Sequence, residues 1–162
     1  MMASPADPIA ALNMFQRELG NLTLRRSQTD PKLLFVLDQP NGISRLTFVR
    51  MDGHAITAMA VFIASQATED SITFHAFYVV PEGYRNQGRA KEIVGAALRQ
   101  IEHGFPGVNV HTISVQVTVD ADDTAGRKVA AATISPDPTP VIDEVSGRPA
   151  FRYGATLKRP VH

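Results

Sequence analysis

Residues 77–94 constrain the fold more than any other stretch of this chain. They read Phe77-Tyr78-Val79-Val80-Pro81-Glu82-Gly83-Tyr84-Arg85-Asn86-Gln87-Gly88-Arg89-Ala90-Lys91-Glu92-Ile93-Val94, a strand that runs through a tight glycine-bearing loop into the first turn of a helix. A loop so placed turns several backbone N–H groups toward one point at the positive end of a helix dipole, and such a point accepts phosphate oxygens. Gly88 lets a ligand approach the backbone with no side chain in the way, and Ala90 keeps the helix start slim. Arg85, Arg89 and Lys91 add positive charge at the flanks. The pattern suits a diphosphate. An ordinary β–α turn with a capping role accounts for the same residues and stays open as the alternative.

The rest of the chain supplies a sheet for that unit. Asp7-Pro8 offers a cap followed by proline at the first helical position, and Ile9, Leu12, Phe15 and Leu19 predict a helix over 8–19 that Gly20 can end. Leu33 to Leu37 is an apolar strand closed by Asp38-Gln39-Pro40-Asn41-Gly42. Arg45 to Met51 alternates, with Leu46, Phe48 and Met51 assigned to one face. Asp52-Gly53 reads as a type I′ hairpin pair, and Ala55 to Ile63 returns as the partner strand. A polar turn at Gln66 to Asp70 leads into the strand 71–80. Beyond the loop, an apolar face predicts a helix over 89–102 that Gly104-Phe105-Pro106-Gly107 ends. Then come a strand at Val110 to Val119, a short helix at Thr124 to Ala132, a proline-rich extended loop, and a closing hairpin of Val141 to Val145 with Ala150 to Leu157. No internal repeat or domain boundary interrupts residues 1–162, so one domain is expected.

Composition narrows the chemistry. Sixteen acidic and 16 basic residues balance, which removes a global field for nucleic acid or an anionic membrane. No cysteine is present, so disulfides, thiolate nucleophiles and Cys-based zinc sites are excluded. That suits a cytoplasmic protein. The segment Met1 to Asp7 lacks the pattern of a signal peptide, and the uncharged stretch Ala55 to Thr68, about 14 residues, is too short to span a bilayer. Histidines 54, 75, 103, 111 and 162 show no metal-ligand spacing. There is no Gly-x-Ser-x-Gly elbow, no full P-loop and no basic aromatic stripe, and Arg25-Arg26 reads as a solvated pair.

Arg85-Asn86-Gln87-Gly88-Arg89-Ala90 resembles the central motif of the GNAT superfamily of acyl-CoA N-acyltransferases: Gln or Arg, two residues, Gly, one residue, then Gly or Ala. The resemblance covers 45–160, where the order of strands and helices is similar to the family core from its second strand to its seventh. It implies an α/β (α+β) fold with a mixed, mostly antiparallel central sheet flanked by helices. Residues 1–44 depart from it, because the family usually begins strand–helix–helix and one helix and an extra strand stand here. The resemblance further implies that acetyl-CoA is the co-substrate, with its pyrophosphate on the amides from Asn86 to Ala90. Arg85, Asn86, Gln87, Gly88, Arg89 and Ala90 would form that site. The strand edge at Val79 and Val80 would pair with the pantetheine arm. A bulge near there, as in the family, would expose a backbone N–H of Val79 or Val80 to polarise the thioester carbonyl. Both valines are plain core residues on the other reading.

An amine acceptor is mostly protonated at neutral pH, so a base must take its proton. Where some relatives carry a glutamate, this sequence has Phe74. His75 either faces the cleft as the base or sits as a satisfied strand histidine, and Glu69 and Asp70 could act through water or be solvated turn residues. Where many relatives carry a thiolate-protonating tyrosine, this sequence has Val129, and Tyr153 or Tyr84 are the substitutes, each otherwise a packing residue. Asp120, Asp122, Asp123, Asp143 and Glu144 would favour a cationic acceptor if they line one cleft. Three functions follow: direct acetyl transfer to a small-molecule or protein amine, a silent GNAT-like domain that binds CoA or a protein, or an interaction module. Relatives are often dimers, so the resemblance leaves a homodimer open beside a monomer.

Overall fold

The computed structural model describes residues 7–104 and 110–159. The Phe105-Pro106-Gly107 helix stop, most of the N-terminal segment read against a signal peptide, and His162 lie outside the described residues. Helix α1 spans Pro8–Glu18, and the side chain of Asp7 accepts hydrogen bonds from the N–H groups of Ile9 and Ala10, as the Asp-Pro start predicts. The strands follow: β1 Arg25–Arg26, β2 Leu34–Asp38, β3 Arg45–Asp52, β4 Ala55–Ala67 and β5 Ser71–Val79. Helix α2 is Arg89–His103, β6 is Thr112–Asp120, α3 is Thr124–Thr133, β7 is Thr139–Ile142 and β8 is Pro149–Lys158.

The strands form one sheet in the order β1-β2-β3-β4-β5-β6-β8-β7. Every neighbouring pair is antiparallel except β5 with β6. The mixed, mostly antiparallel sheet flanked by helices is therefore the observed architecture. On one face α2 and α3 bury Ile93, Val94, Ala97, Ile101 and Ala130 against Phe48, Phe62, Ala76, Val115 and Val117. Four phenylalanines run across that face, with ring centroids 5.6 Å apart for Phe35–Phe48, 5.7 Å for Phe48–Phe62 and 6.2 Å for Phe62–Phe74, each aromatic pair adding about 0.5–1.5 kcal/mol beyond its buried area. On the other face α1 lies over β4 and β5, where Leu12 packs with Val49, Ile56, Met59, Val61, Phe77 and Val79. Gln16 fixes its far end, donating to the carbonyl of His54 at 2.8 Å and accepting from the N–H of Ile56 at 2.9 Å.

Four local readings change. Met51 packs with Val49 in the α1-side cluster and not with Leu46 and Phe48, because side chains alternate along a strand. Asp52 pairs with Ala55 as the last rung of the ladder, so the hairpin turns on Gly53-His54. Only Gly53 there has positive φ, at +61°, the glycine placement of a type II′ turn. The closing hairpin begins at Thr139 and leaves the sheet after Ile142, since β7 is an edge strand in which Pro140 costs no ladder bond. Arg25 and Arg26 are exposed as expected, yet they also pair with Phe35 and Leu34 as a two-residue edge.

Candidate functional site

The parallel pairing of β5 and β6 starts at Ser71 with Thr112 and stops at Ala76 with Val117. Past that rung β5 stays with β4 as far as Val79 opposite Met59, and β6 stays with β8 as far as Asp120 opposite Ala150. Two strands that part within one sheet open a wedge. A cleft of about 350 Å³ fills it, walled by Phe77 and Tyr78 on one strand and Val117 to Asp120 on the other. Asp123 at the start of α3, Pro8 at the start of α1, and Asp143, Val145, Ser146 and Arg148 of the β7–β8 turn complete the lining. The bulge expected near Val79 is absent: the register of β5 on β4 is regular from Phe74 to Val79. The strands part because β6 follows β8.

The loop that leaves β5 closes one end of this region. Its first half is a 3₁₀ turn, with the N–H of Tyr84 on the carbonyl of Pro81 at 2.9 Å. Asn86 then takes φ +62° and Gly88 φ +72°, two left-handed residues in a space of three. Such alternation turns successive N–H groups into one concavity. The first helical N–H to find a backbone acceptor is that of Glu92, on the carbonyl of Gly88 at 3.0 Å. Among the described residues, no protein acceptor takes the N–H groups of Asn86, Gln87, Gly88, Arg89, Ala90 or Lys91. A side chain at Gly88 would meet no atom within 4 Å, so the glycine serves its backbone angle and the open approach.

The flanking cations divide the work. Arg85 donates from Nε to the carbonyl of Val80 at 2.9 Å and so holds the loop entry. Arg89 stacks on the Tyr84 ring, donates to Gln87 and reaches Thr57 Oγ1 at 3.2 Å. Thr57 is the extra residue where the β3–β4 register shifts, which is why a buried strand threonine has a hydroxyl to offer. Lys91 is exposed and makes no ion pair among the described residues. Glu92 would repel an anion in the first helical turn, but Arg50 binds it while also pairing with Asp30. The hydrogen bond that Arg50 donates to Glu92 leads the effects that raise the Arg50 pKa further, and the bond it donates to Asp30 lowers that of Asp30.

Solved structures share the fold. An acetyltransferase of the GNAT family from Streptococcus pneumoniae matches with a TM-score of 0.53 over 70% of this chain and 66% of its own, at 14% identity. The NatC complex bound to Gag peptide and CoA matches with a TM-score of 0.51 over 69% of this chain and 71% of its own, at 13% identity. The fold is that of the GNAT superfamily. RimL, a ribosomal-protein alpha-N-acetyltransferase in complex with coenzyme A, matches with a TM-score of 0.50 over 70% of this chain at 12% identity. This chain spans 66% of the S. pneumoniae protein and 62% of RimL, about two thirds of each. No family model and no curated protein matches the sequence.

Within the GNAT fold the remaining candidates separate. His75 is half-buried on the α1-side face, two residues before Phe77 and beside Gln116 of β6. Burial, and then the charge of Arg152, hold its pKa below the ordinary value, while Glu144 acts the other way. Tyr153 is 2% exposed and packs in the core under α2 and α3, opposite Val117. Tyr84 lies under Arg89, and Val129 packs at the edge of the core. Glu69 and Asp70 sit at the start of β5, the opposite end from the cleft, so they cannot serve it. Of the five acids, Asp120, Asp123 and Asp143 line the cleft and Asp122 and Glu144 do not. Arg148 bridges Asp120 at 3.3 Å and Asp122 at 2.9 Å, which cancels much of the expected acidity.

Tyr78 is the cleft residue that sequence reasoning missed. Its hydroxyl donates to the carbonyl of Gly126 in α3 at 2.7 Å. Burial first, then Asp123, push its pKa well above the usual phenol range. The signal was its place just before the loop, one residue out of phase with Phe77 and Val79. Among the described residues no group of three or more His, Asp or Glu side chains could hold a metal, and no helix is long and apolar enough to cross a membrane.

Proposed function

We propose that this protein transfers an acyl group, acetyl in the simplest case, from an acyl-CoA to an amine in one direct step. The observation that carries this reading is the run of unpartnered N–H groups from Asn86 to Lys91, set beside the wedge where β5 and β6 part. The loop is a mould for a diphosphate, with Lys91 supplying mobile charge and the dipole of α2 behind it. CoA is the thioester carrier whose diphosphate would sit there while its pantetheine arm enters the wedge along Val79 and Val80.

In the reaction the amine nitrogen bonds to the thioester carbon, the C–S bond breaks, one proton leaves the amine and the thiolate gains one. A backbone N–H at Val79 or Val80 stabilises the developing oxyanion. His75, kept neutral near pH 7, takes the amine proton. Tyr78 also lines the wedge, but its hydroxyl donates to Gly126 and its raised pKa makes it a poor acid, so neither it nor the buried Tyr153 serves and the leaving thiolate takes its proton from solvent. With no cysteine in the chain, a thioester acyl-enzyme is not available and attack is direct.

Calorimetric titration of acetyl-CoA into the wild type and into Gly88→Trp tests the reading. Micromolar binding lost in the variant, with acetyl transfer to at least one member of an amine panel, is the expected result. Binding without transfer to any amine would mean a CoA-binding domain that is not an enzyme. No binding by the wild type would end the proposal.

A further inference from the structure

We propose that the acceptor is a small amine that carries its own carboxylate, and that Arg152 holds that carboxylate. The inference rests on the acyl-transfer reading for the reaction, though not for the binding.

Arg152 lies on β8 with Thr118 of β6 and Thr139 of β7 as its partners across the sheet. Directly paired residues share a face. Arg152 therefore stands on the face of Thr118, which lines the wedge, and of Gln116 and His75 next to it. Helix α1 packs on β4 and β5, so it leaves this part of the face uncovered.

The arginine itself has nothing to bind. It is half-buried, its Nε is shielded from solvent, and no acceptor reaches that atom among the described residues. It makes no ion pair there either. Its neighbour Arg148 is committed, holding Asp120 and Asp122. Of the nearby acids, Asp143 is engaged with the N–H of Val145 and Asp123 with the N–H of Gly126, while Glu144, whose charge also reaches His75, makes no ion pair with Arg152. Only the Nε is withdrawn from water while the terminal nitrogens are not, so an anion arriving at the fork would satisfy the buried donor and pair with the charge. Its planar fork matches a carboxylate with two parallel hydrogen bonds.

His75 gives the other end of the ligand. It lies two strands across and two residues along from Arg152, about 12 Å between backbones, a gap that two side chains and a small amino acid fill. The amine then meets a neutral imidazole while the carboxylate is fixed at Arg152. A polyamine has no group for this arginine, so the site disfavours it.

The test compares matched pairs: the standard amino acids against their carboxamides, and dipeptides with an acidic second residue to separate free amino acids from peptide ends. Binding to the wild type, Arg152→Gln and Arg152→Lys is read by amide chemical shifts at Thr118 and Arg152 or its replacement, without acetyl-CoA. At least one acid should bind about tenfold or more tightly than its amide, the ratio expected of a charge-assisted bond. That ratio should fall to about one in Arg152→Gln and lie between in Arg152→Lys. Equal wild-type affinity for acids and amides would overturn the assignment. So would no binding by any acid, or an equal loss for both members of a pair in Arg152→Gln. If Arg152→Gln fails to fold, an unchanged acid-to-amide ratio in Arg152→Lys overturns it instead. An acid preference that survives failure of the acetyl-CoA titration would keep the anion site and remove the transferase.

Discussion

The α1-side face of the sheet is built from two materials. Under α1 it is Val49, Ile56, Met59, Val61, Phe77 and Val79, all buried. Past β5 the same face carries Ser114, Gln116 and Thr118 on β6 and Arg152, Gly154 and Thr156 on β8. The opposite sides of those strands remain apolar, with Ile113, Val115, Val117 and Tyr153 in the core. One helix covers half a face and only that half is greasy. The wedge falls on the border, so a ligand in it meets backbone and apolar groups on one side and polar side chains on the other. Backbone amides recognise what many substrates share, and side chains recognise what sets one apart.

Breaking the backbone half should have the largest effect. Gly88→Trp places a bulky side chain over the loop at φ +72° and should abolish measurable CoA binding in calorimetry. It should cost only about 1–2 kcal/mol in denaturant unfolding, the strain of a left-handed side chain, since nothing crowds the position. Next comes the polar half: His75→Gln should lower kcat by about 10²–10⁴ while leaving the affinity for acetyl-CoA unchanged. A wild-type rate that falls only below pH of about 6.5 fits its depressed pKa, and the variant should lose that acid limb. Tyr78→Phe should leave kcat nearly unchanged and, through the lost bond to Gly126, cost about 1 kcal/mol of stability in denaturant unfolding. The smallest effect sharpens the comparison further. Arg152→Gln removes a positive neighbour of His75 and leaves Glu144, so the His75 titration followed by NMR should move upward, toward its ordinary value.

Local code made most of the frame legible. Asp7-Pro8 starts a helix, Gly88 precedes one, and the alternation of β6 assigns Ile113, Val115 and Val117 to one face before any partner is known. The loop was legible for the same reason, being a backbone device coded within a few residues. The far half of the site was not. Arg152, Thr118 and His75 come from three strands, and only the order β5-β6-β8 brings them together. Tyr78 reads as one more apolar strand residue until α3 is known to cross its hydroxyl. The hairpin error at Asp52-Gly53 is of another kind: both pairs are good turn formers, and the register of β3 on β4 decides between them.

The parallel seam between β5 and β6 has a consequence for how the chain assembles. On one side of it β2 to β5 are antiparallel neighbours in chain order, and on the other β6, β8 and β7 form a second antiparallel group. The first group can zip from turns that lie close in sequence, whereas β6 meets β8 across α3 and β7, and the seam joins residues separated by the loop and all of α2. Such non-local parallel pairing is the slow kind of contact. Docking β6, β8 and β7 onto the β2–β5 meander is then the expected late step of folding, and hydrogen exchange that opens both groups together would contradict it. The wedge is where that seam stops short.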